Sequence, residues 1–238
     1  MKILITGATS GIGRQLALDY HGEGHEVFAL GRNKEALGEL ASKGLHTGRV
    51  DLTNRKESLE WFAGQDSMDL AILNAGTCEY IDLPDFDSAL VSRVMRTNVE
   101  SLAISIEGVL PLLRKGTRPH LVGVGSSAAY LHLPRAEAYG GSKAAVAYII
   151  NTLRISLQTE NIDVSLVCPG FVKTPLTDKN DFKMISLIST AEASRYMRSG
   201  ISRRKREIHF PRKFTWTMKL LSCLPCAVWE KIARRMAG

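Results

Sequence analysis

The sequence predicts a single-domain α/β protein, built on a doubly wound parallel sheet of about seven strands with helices on both faces. Short apolar segments rich in Ile, Val and Leu alternate along the chain with segments whose apolar residues recur at helical spacing. Strands that are apolar throughout are typical of a parallel sheet covered on both faces. Right-handed crossovers make such a sheet doubly wound, with ligands at the carboxyl ends of its strands.

Each element follows from local sequence. A strand over residues 2–6 leads through a glycine-rich turn into a helix with a glycine stop. Further strands are predicted at residues 25–30, 46–50, 69–76, 120–127 and 164–170, each followed by a helical pattern. The pattern after the fourth strand predicts one long helix over residues 85–116, closed by Gly116. Residues 189–213 predict a helix, a basic turn and a final strand.

The composition is that of an ordinary globular protein: 238 residues, 45% hydrophobic and 23% charged. No apolar run approaches the roughly 18 residues of a membrane span. Met1 and Lys2 run into ILIT without the architecture of a signal peptide, so we expect a cytoplasmic location. Cys223 and Cys226 form a C-x-x-C pair that we interpret as incidental. The histidines show no metal-ligand spacing, and we expect no metal.

Charge is distributed unevenly. From Arg195 to the end there are 12 Lys or Arg and 2 Asp or Glu, whereas the first 194 residues hold 19 and 22. We treat residues 1–213 as the main domain and residues 214–238 as a basic amphipathic C-terminal extension. We expect no nucleic-acid partner, because such charge runs are most often solvated surface.

The turn after the first strand has the character of a phosphate-binding loop. Gly7, Gly11 and Gly13 would let the backbone approach a pyrophosphate, and the next helix presents free N–H groups. The flanking strand and helix favour this over a glycine turn without a nucleotide. About 20 positions later, where NAD-binding folds carry an acid, the chain has Gly31 and Arg32. Since an arginine there accommodates a 2′-phosphate, NADP(H) is favoured over NAD(H).

A tyrosine and a lysine one helical turn apart indicate acid–base chemistry. Tyr139 and Lys143 share a helix face, and a nearby cation stabilises a phenolate whose ordinary pKa is about 10. Ser126, at the end of an apolar run, would hydrogen-bond a substrate oxygen. The Y-x-x-x-K pattern alone is weak, since most such pairs are helix-surface neighbours. Asn98 lies inside the long helix, where it either faces solvent or holds something in a cleft.

Together these motifs resemble the short-chain dehydrogenase/reductase family in its compact form. TGATSGIG, LNAG, Asn98, Ser126, YGGSK and CPGFVKT occur in that family's order and spacing. The resemblance covers about residues 1–175, with a weaker match through residue 210. It implies a Rossmann fold and an NAD(P)-dependent oxidoreductase that moves a hydride between nicotinamide and a carbonyl or secondary alcohol.

The resemblance also implies catalytic roles. Tyr139 would be the general acid/base, and Ser126 would orient and polarise the substrate oxygen. Lys143 would lower the pKa of Tyr139 and bind the nicotinamide ribose. Asn98 would position a water that continues a proton relay. The family often uses the second serine of a Ser-Ser pair, so a one-residue change in the loop would transfer the role of Ser126 to Ser127.

Cofactor contacts are implied along the whole chain. The glycine loop would cradle the pyrophosphate, Asp51 and Leu52 would contact adenine, and Thr174 would lie near the nicotinamide carboxamide. With Arg32 included, the predicted cofactor-binding residues are Gly7, Ser10, Gly11, Ile12, Gly13, Arg32, Asp51, Leu52, Asn74, Ala75, Gly76, Tyr139, Lys143, Pro169, Gly170, Val172 and Thr174.

Two segments, residues 128–134 and 176–188, would contact the substrate. The second is mostly apolar, with Leu176, Phe182, Met184, Ile185 and Leu187. These side chains favour a hydrophobic ketone, aldehyde or secondary alcohol over a sugar, or else they pack together as a closed lid. The main hypothesis is an NADPH-dependent carbonyl reductase or the same chemistry in reverse. The alternative is a catalytically silent nucleotide-binding regulatory or scaffold protein that uses its basic C-terminus for interaction.

Assembly and the extension complete the expectations. We expect a homodimer or homotetramer, through the helices that carry Asn98 and Tyr139. The last helix is amphipathic and basic, with Val228, Ile232 and Met236 in a stripe beside Trp229 and Ala233, opposite Lys231, Arg234 and Arg235. The extension would dock on the substrate loops, on a second subunit or on an anionic membrane. We favour docking within the chain or assembly over the membrane.

Overall fold

The computed structural model describes residues 1–182 and 184–235 and contains a seven-stranded, wholly parallel sheet in the order β3-β2-β1-β4-β5-β6-β7. The strands are β1 (Lys2–Thr6), β2 (Glu26–Gly31), β3 (His46–Arg49), β4 (Leu70–Leu73), β5 (His120–Val124), β6 (Asp163–Pro169) and β7 (Glu207–Phe210). The strand order reverses between β1 and β4, which makes the sheet doubly wound. The predicted fold class is confirmed.

Helices cover both faces of the sheet. They are α1 (Gly11–Gly22), α2 (Lys34–Ala41), α3 (Arg55–Ala63), α4 (Ser88–Met95), α5 (Ser101–Leu113), α6 (Glu137–Ser156), α7 (Thr190–Ser202), α8 (Arg212–Leu221) and α9 (Cys226–Arg234). Ile3 and Ile5 of β1 face a core that includes Leu16 of α1 and Met197 of α7. Leu4, between them, faces the second core, which α3, α5 and α6 cover. Burial on both faces explains why the strands are apolar throughout.

Predicted strands end early where polar residues follow them. β4 stops at Leu73 and β5 at Val124, so the Asn-Ala-Gly and Ser-Ser segments lie in loops beyond the strands. These loops leave the carboxyl edge of the sheet, where a doubly wound fold binds its ligands. The early ends therefore place both segments at that edge.

The helix predicted over residues 85–116 is interrupted. α4 and α5 are joined by a π-helical turn, Arg96–Glu100. The side chain of Asn98 is buried and bonds to groups outside the helix, and a π turn admits the extra residue that this placement needs. The prediction of one unbroken helix was wrong because the apolar pattern does not reveal the π turn. Val94 and Leu102, on either side of the turn, are both buried, as they would be in a continuous helix.

The C-terminal helices dock on the body of the same chain. Met218 of α8 and Trp229 and Ala233 of α9 pack on Leu131 in the loop after β5. The predicted stripe is displaced, since Val228 and Ile232 are exposed; Met236 lies outside the described residues. Residue 213 falls in the first turn of α8, and the division of the chain there stays a prediction.

Burial of His120 makes the fold sensitive to acid. Its Nε2 lies 2.8 Å from the Ser165 hydroxyl, and burial, helped by Arg204 and opposed by Asp163, lowers its pKa to about 4. The unfolded chain then binds more protons than the folded one between pH 6.5 and 4, so stability falls as the pH drops through that range.

We predict that between pH 7 and pH 5 this histidine removes about 2 kcal/mol from the free energy of unfolding. The measurement is urea unfolding of wild type and His120→Gln at both pH values. Wild type should lose about 2 kcal/mol more than the variant. Equal losses would mean that other groups cause the acid sensitivity.

Candidate active site

A cleft of about 450 Å³ opens at the carboxyl edge of the sheet. Its walls contain eleven of the residues predicted to bind cofactor: Gly7, Ser10, Gly11, Ile12, Arg32, Asp51, Leu52, Asn74, Ala75, Gly76 and Thr174. The walls also contain residues that sequence reasoning did not assign to the cofactor: Thr9, Gly31, Asn33, Val50, Thr53, Thr97, Ser101, Pro175 and Leu176. Asn33 and Thr53 follow strands β2 and β3 closely, and a position just after a strand could have predicted that they line the cleft.

Six predicted cofactor residues are not among the described residues that line the cleft: Gly13, Tyr139, Lys143, Pro169, Gly170 and Val172. Gly13 lies under the glycine loop, where an added Cβ would be 2.3 Å from the Gly7 carbonyl oxygen. Val172 is buried and forms an isolated parallel bridge with Ile188. Gly170, which follows Pro169 at the end of β6, faces the ring of Phe214 in α8. These residues shape the backbone that carries Thr174.

The glycine loop is held to the loop after β4. Gly7 has φ +66°, and a Cβ there would lie 2.8 Å from the Cα of Ala75. Asn74 Nδ2 donates to the Thr6 carbonyl at 3.1 Å, and the Thr6 hydroxyl accepts from Asn74 N at 2.9 Å. α1 begins at Gly11 on the cleft wall, and the first N–H groups of a helix have no partner inside it. The loop therefore presents free donors where an anion can approach.

The end of the cleft lined by Arg32 and Asp51, here called the outer end, carries charges of both signs. Arg32 is exposed on the wall directly after β2. Burial of Asp51 opposes its ionisation, but hydrogen bonds from Thr53 and the charges of Arg32 and Arg96 outweigh it and lower the Asp51 pKa. The charges of two guanidinium groups, those of Arg32 and Arg96, thus act on one carboxylate at this end of the cleft.

Beside Gly76, at what is here called the inner end of the cleft, the structure brings Ser126, Tyr139 and Lys143 together. Ser126 ends the loop after β5, and the other two lie in the first turns of α6. Lys143 Nζ donates to the Val124 carbonyl at 3.1 Å and lies 5.9 Å from the centre of the Tyr139 ring. The Ser126 side chain accepts from Ala128 N at 3.1 Å and also acts on the Tyr139 phenol.

Burial dominates the protonation of this group. It raises the pKa of Tyr139, with Cys78 and Cys168 adding to the rise and Ser126 opposing it. Burial also lowers the pKa of Lys143 to about 8, although both thiols oppose that shift. Lys143 was expected to lower the Tyr139 pKa, whereas in this structure burial has the larger effect and keeps the phenol protonated.

Asn98 is buried and fully hydrogen-bonded. Its Oδ1 accepts from Thr77 N at 2.7 Å, and its Nδ2 donates to the Thr77 carbonyl and to the Ser142 hydroxyl, both at 2.9 Å. Sequence reasoning left open whether Asn98 faces solvent, and the structure places it inside. Thr77, Cys78 and Ser142 were missed, although the first two directly follow the Asn-Ala-Gly segment and Ser142 precedes Lys143.

Within the predicted substrate segment, residues 176–188, Asp181 and Phe182 contact neighbouring parts of the chain through ionic and aromatic interactions. The ring of Phe182 lies 5.6 Å from that of Tyr80 and 5.9 Å from that of Phe171. Arg135 bonds to Asp82 and, through two nitrogens, to Asp181. The loop thus packs on its neighbours while Ile185 and Leu187 remain exposed.

The sheet order and the glycine loop define the class: a doubly wound α/β protein with a nucleotide-type cleft. The family model described as short chain dehydrogenase matches residues 1–184. This chain belongs to the short-chain dehydrogenase/reductase family and is an oxidoreductase of that type.

Relatives extend the match over most of the chain. An uncharacterized oxidoreductase of Myxococcus xanthus is 33% identical, covering 98% of this chain and 96% of its own length. Dehydrogenase/reductase SDR family member 7B of Bos taurus is 30% identical, covering 74% of this chain and 59% of its own length. A solved structure of a short chain dehydrogenase/reductase family protein superposes with a TM-score of 0.79 at 22% identity, covering 88% of this chain and 94% of that one. That last likeness shows the fold.

Asn98→Ala should destabilise the protein by about 2 kcal/mol, because it leaves buried partners at Thr77 and Ser142 unsatisfied. Chemical denaturation measures the change. The matched control is Asn151→Ala on α6, whose exposed amide accepts only from Arg154 and whose loss should cost less than about 0.5 kcal/mol. Equal effects of the two changes would contradict a structural role for the Asn98 hydrogen bonds.

Proposed function

We propose that this chain is an NADP(H)-dependent oxidoreductase that transfers a hydride between the nicotinamide and the carbonyl or secondary alcohol of a hydrophobic small molecule. One observation carries the proposal. Gly76 lies on the cleft wall, and a Cβ built on it would be 3.0 Å from Asn98 Oδ1 and 3.3 Å from Lys143 Nζ. The acid–base group therefore adjoins the inner end of the cleft.

The cleft fits a dinucleotide. The pyrophosphate would lie at the glycine loop before the N-terminus of α1, where the first N–H groups of the helix have no partner inside it. We assign Ser10, Ile12 and the glycines to the pyrophosphate and Asp51 and Leu52 to the adenine. Asn74, Ala75 and Gly76 would line the adenosine side, and Thr174 would meet the carboxamide, supported from behind by Pro169, Gly170 and Val172. When bound, the nicotinamide supplies or accepts the hydride.

The residues of the chain handle the proton. In the reducing direction Tyr139, protonated because burial raises its pKa, donates its phenolic proton to the carbonyl oxygen. Ser126 donates a hydrogen bond to the same oxygen. Lys143, with a pKa of about 8, is charged at neutral pH and stabilises the phenolate that remains. Asn98 holds the loop that carries Thr77 and Cys78. We also assign to Asn98 the role of positioning a water that continues the proton relay.

The apolar substrate class rests on the aromatic contacts around the catalytic tyrosine. Burial raises the pKa of Tyr80, and the neighbouring Cys78 and Tyr139 add to the rise. Phe182 and Phe171 continue the aromatic wall from Tyr80. A cytoplasmic homodimer or homotetramer belongs to the same proposal. It is supported by the exposed apolar Tyr148 and Ile155 along α6.

Turnover of a panel of hydrophobic ketones and aldehydes, followed by loss of NADPH absorbance, tests the reaction. In that panel Tyr139→Phe should lower turnover at least about a hundredfold, because it removes the proton donor. NADPH affinity, measured by titration, should stay close to that of wild type. Tyr196→Phe, at an exposed position on α7, is the matched control and should be neutral. Near-normal turnover by Tyr139→Phe would refute the mechanism. Tight NADPH binding by a wild type inactive on every carbonyl would favour the scaffold alternative.

Arg32→Ala should weaken NADPH binding at least about tenfold and leave NADH binding nearly unchanged, because only the former loses a charge-assisted bond to the 2′-phosphate. Fluorescence titration of both cofactors gives the ratio. Lys43→Ala removes an exposed charge after α2 and serves as the control. A wild type that prefers NADH would overturn the assignment of Arg32.

A further inference from the structure

The outer faces of α8 and α9 carry exposed apolar side chains at every fourth residue. Trp216 and Leu220 of α8 are 60% and 71% exposed, and Val228 and Ile232 of α9 are 45% and 37% exposed. Leu224, in the turn between the two helices, is 36% exposed. The inner faces of the same helices are buried against Leu131. Docking on the body of the chain therefore satisfies one face of this helix pair and leaves an apolar face outside.

The same outer surface is strongly cationic. Residues 212–235 contain six Lys or Arg and one Asp or Glu. Arg212 and Lys213 are exposed in the first turn of α8, Lys231 and Arg234 are exposed on α9, and Arg235 is exposed directly after it. Exposed Trp and Leu among basic side chains are typical of helices that lie in the interface of an anionic bilayer.

We propose that the outer face of α8 and α9 binds the surface of an anionic phospholipid membrane. The helices would lie in the interfacial plane, with Trp216 and Leu220 among the acyl-chain ends and the basic side chains at the lipid phosphates. Among the residues described, no helix is long and apolar enough to cross a bilayer. This binding is peripheral and independent of the proposed reaction.

Charge favours a lipid over a second copy of the chain as the occupant. A symmetric dimer through this face would bring the basic groups of α9 close to those of the other copy, which repel one another. Interface cores between proteins are also poor in lysine. An anionic bilayer instead offers both phosphates for the cations and hydrocarbon for the five apolar side chains.

The location joins this surface to the proposed site. Trp229 Nε1, on the inner face of α9, donates to the His132 carbonyl at 2.9 Å. Lys219 of α8 pairs with Glu207 at 2.6 Å, and Glu207 also accepts from the Tyr130 hydroxyl. The lipid-facing helices thus rest on the loop that follows Ser126. A membrane-bound protein would hold its substrate loop beside the bilayer, where hydrophobic molecules dissolve.

Vesicle flotation with the full-length protein tests the proposal. The lipids are phosphatidylcholine alone and an equal mixture of phosphatidylcholine and phosphatidylglycerol. We expect binding to the mixed vesicles only, weakened by salt. Leu220→Ser combined with Ile232→Ser should lower the partition coefficient at least about tenfold, because both apolar side chains leave the bilayer. Leu83→Ser combined with Phe86→Ser, at residues 69% and 59% exposed in the loop before α4, is the matched control and should bind like wild type.

A second pair of variants tests the charges. Lys231→Gln, Arg234→Gln and Arg235→Gln together should weaken binding on the order of a hundredfold, given about fivefold per charge near an anionic surface. Lys43→Gln, Lys115→Gln and Arg118→Gln remove the same charge from exposed positions elsewhere and should weaken it much less. Circular dichroism and Tm confirm folding of each variant.

Three outcomes overturn the proposal: no binding of folded wild type to mixed vesicles, equal losses in the two charge triples, or a change in mass by light scattering for the Leu220/Ile232 variant without a change in flotation. The last outcome would assign the face to a second copy. Flotation does not require turnover, so failure of the proposed reaction leaves this test intact.

Discussion

The buried amide of Asn98 is the contact on which the inner end of the site depends. It joins three pieces of chain: the loop after β4, the π turn between α4 and α5, and the first turns of α6. The amide is buried in a turn that departs from regular α-helical geometry. Burial of a polar amide costs stability unless every polar atom is paired. Since each of its bonds is made to a neighbour of Gly76 or Lys143, that cost is offset where the cleft meets the acid–base group.

Burial acts on the two titrating groups in opposite senses. It raises the pKa of Tyr139 and lowers that of Lys143, so both shifts move the pair toward its uncharged forms. The Tyr139 phenol therefore keeps its proton more strongly than a tyrosine in water. The Lys143 ammonium, with a pKa of about 8, keeps its proton less strongly than a lysine in water. Ser126 is the local contact that favours the ionised phenol, so the serine has an electrostatic part in addition to any contact with substrate.

The apolar pattern of the strands was sufficient to predict a sheet covered on both faces. Ile3 and Ile5 are buried on one face of the sheet and Leu4 on the other. Motif spacing was sufficient to place the cleft residues from Gly7 to Thr174 at one edge. The π turn could not be predicted, because an inserted residue leaves the apolar pattern on either side intact. Nor could the proximity of Cys78 and Cys168 to Lys143, which arises from strand order in space. The same limit explains the displaced stripe on α9: Trp229 faces inward because its indole N–H finds the His132 carbonyl, a partner 97 positions away.

The extension was predicted to dock on the substrate loops, on a second subunit or on a membrane. An amphipathic helix normally has one apolar face, which can make only one of these contacts. Here the buried residues of α8 and α9 and the exposed series from Trp216 to Ile232 lie on different faces, so docking on the chain and contact with a membrane do not compete. The inner face must remain docked for the Tyr130–Glu207–Lys219 contacts to persist. A lipid contact that left this face intact would add affinity for a surface without taking any support from the loop after Ser126. The basic helices α8 and α9 would then be a second binding element of an oxidoreductase of this family.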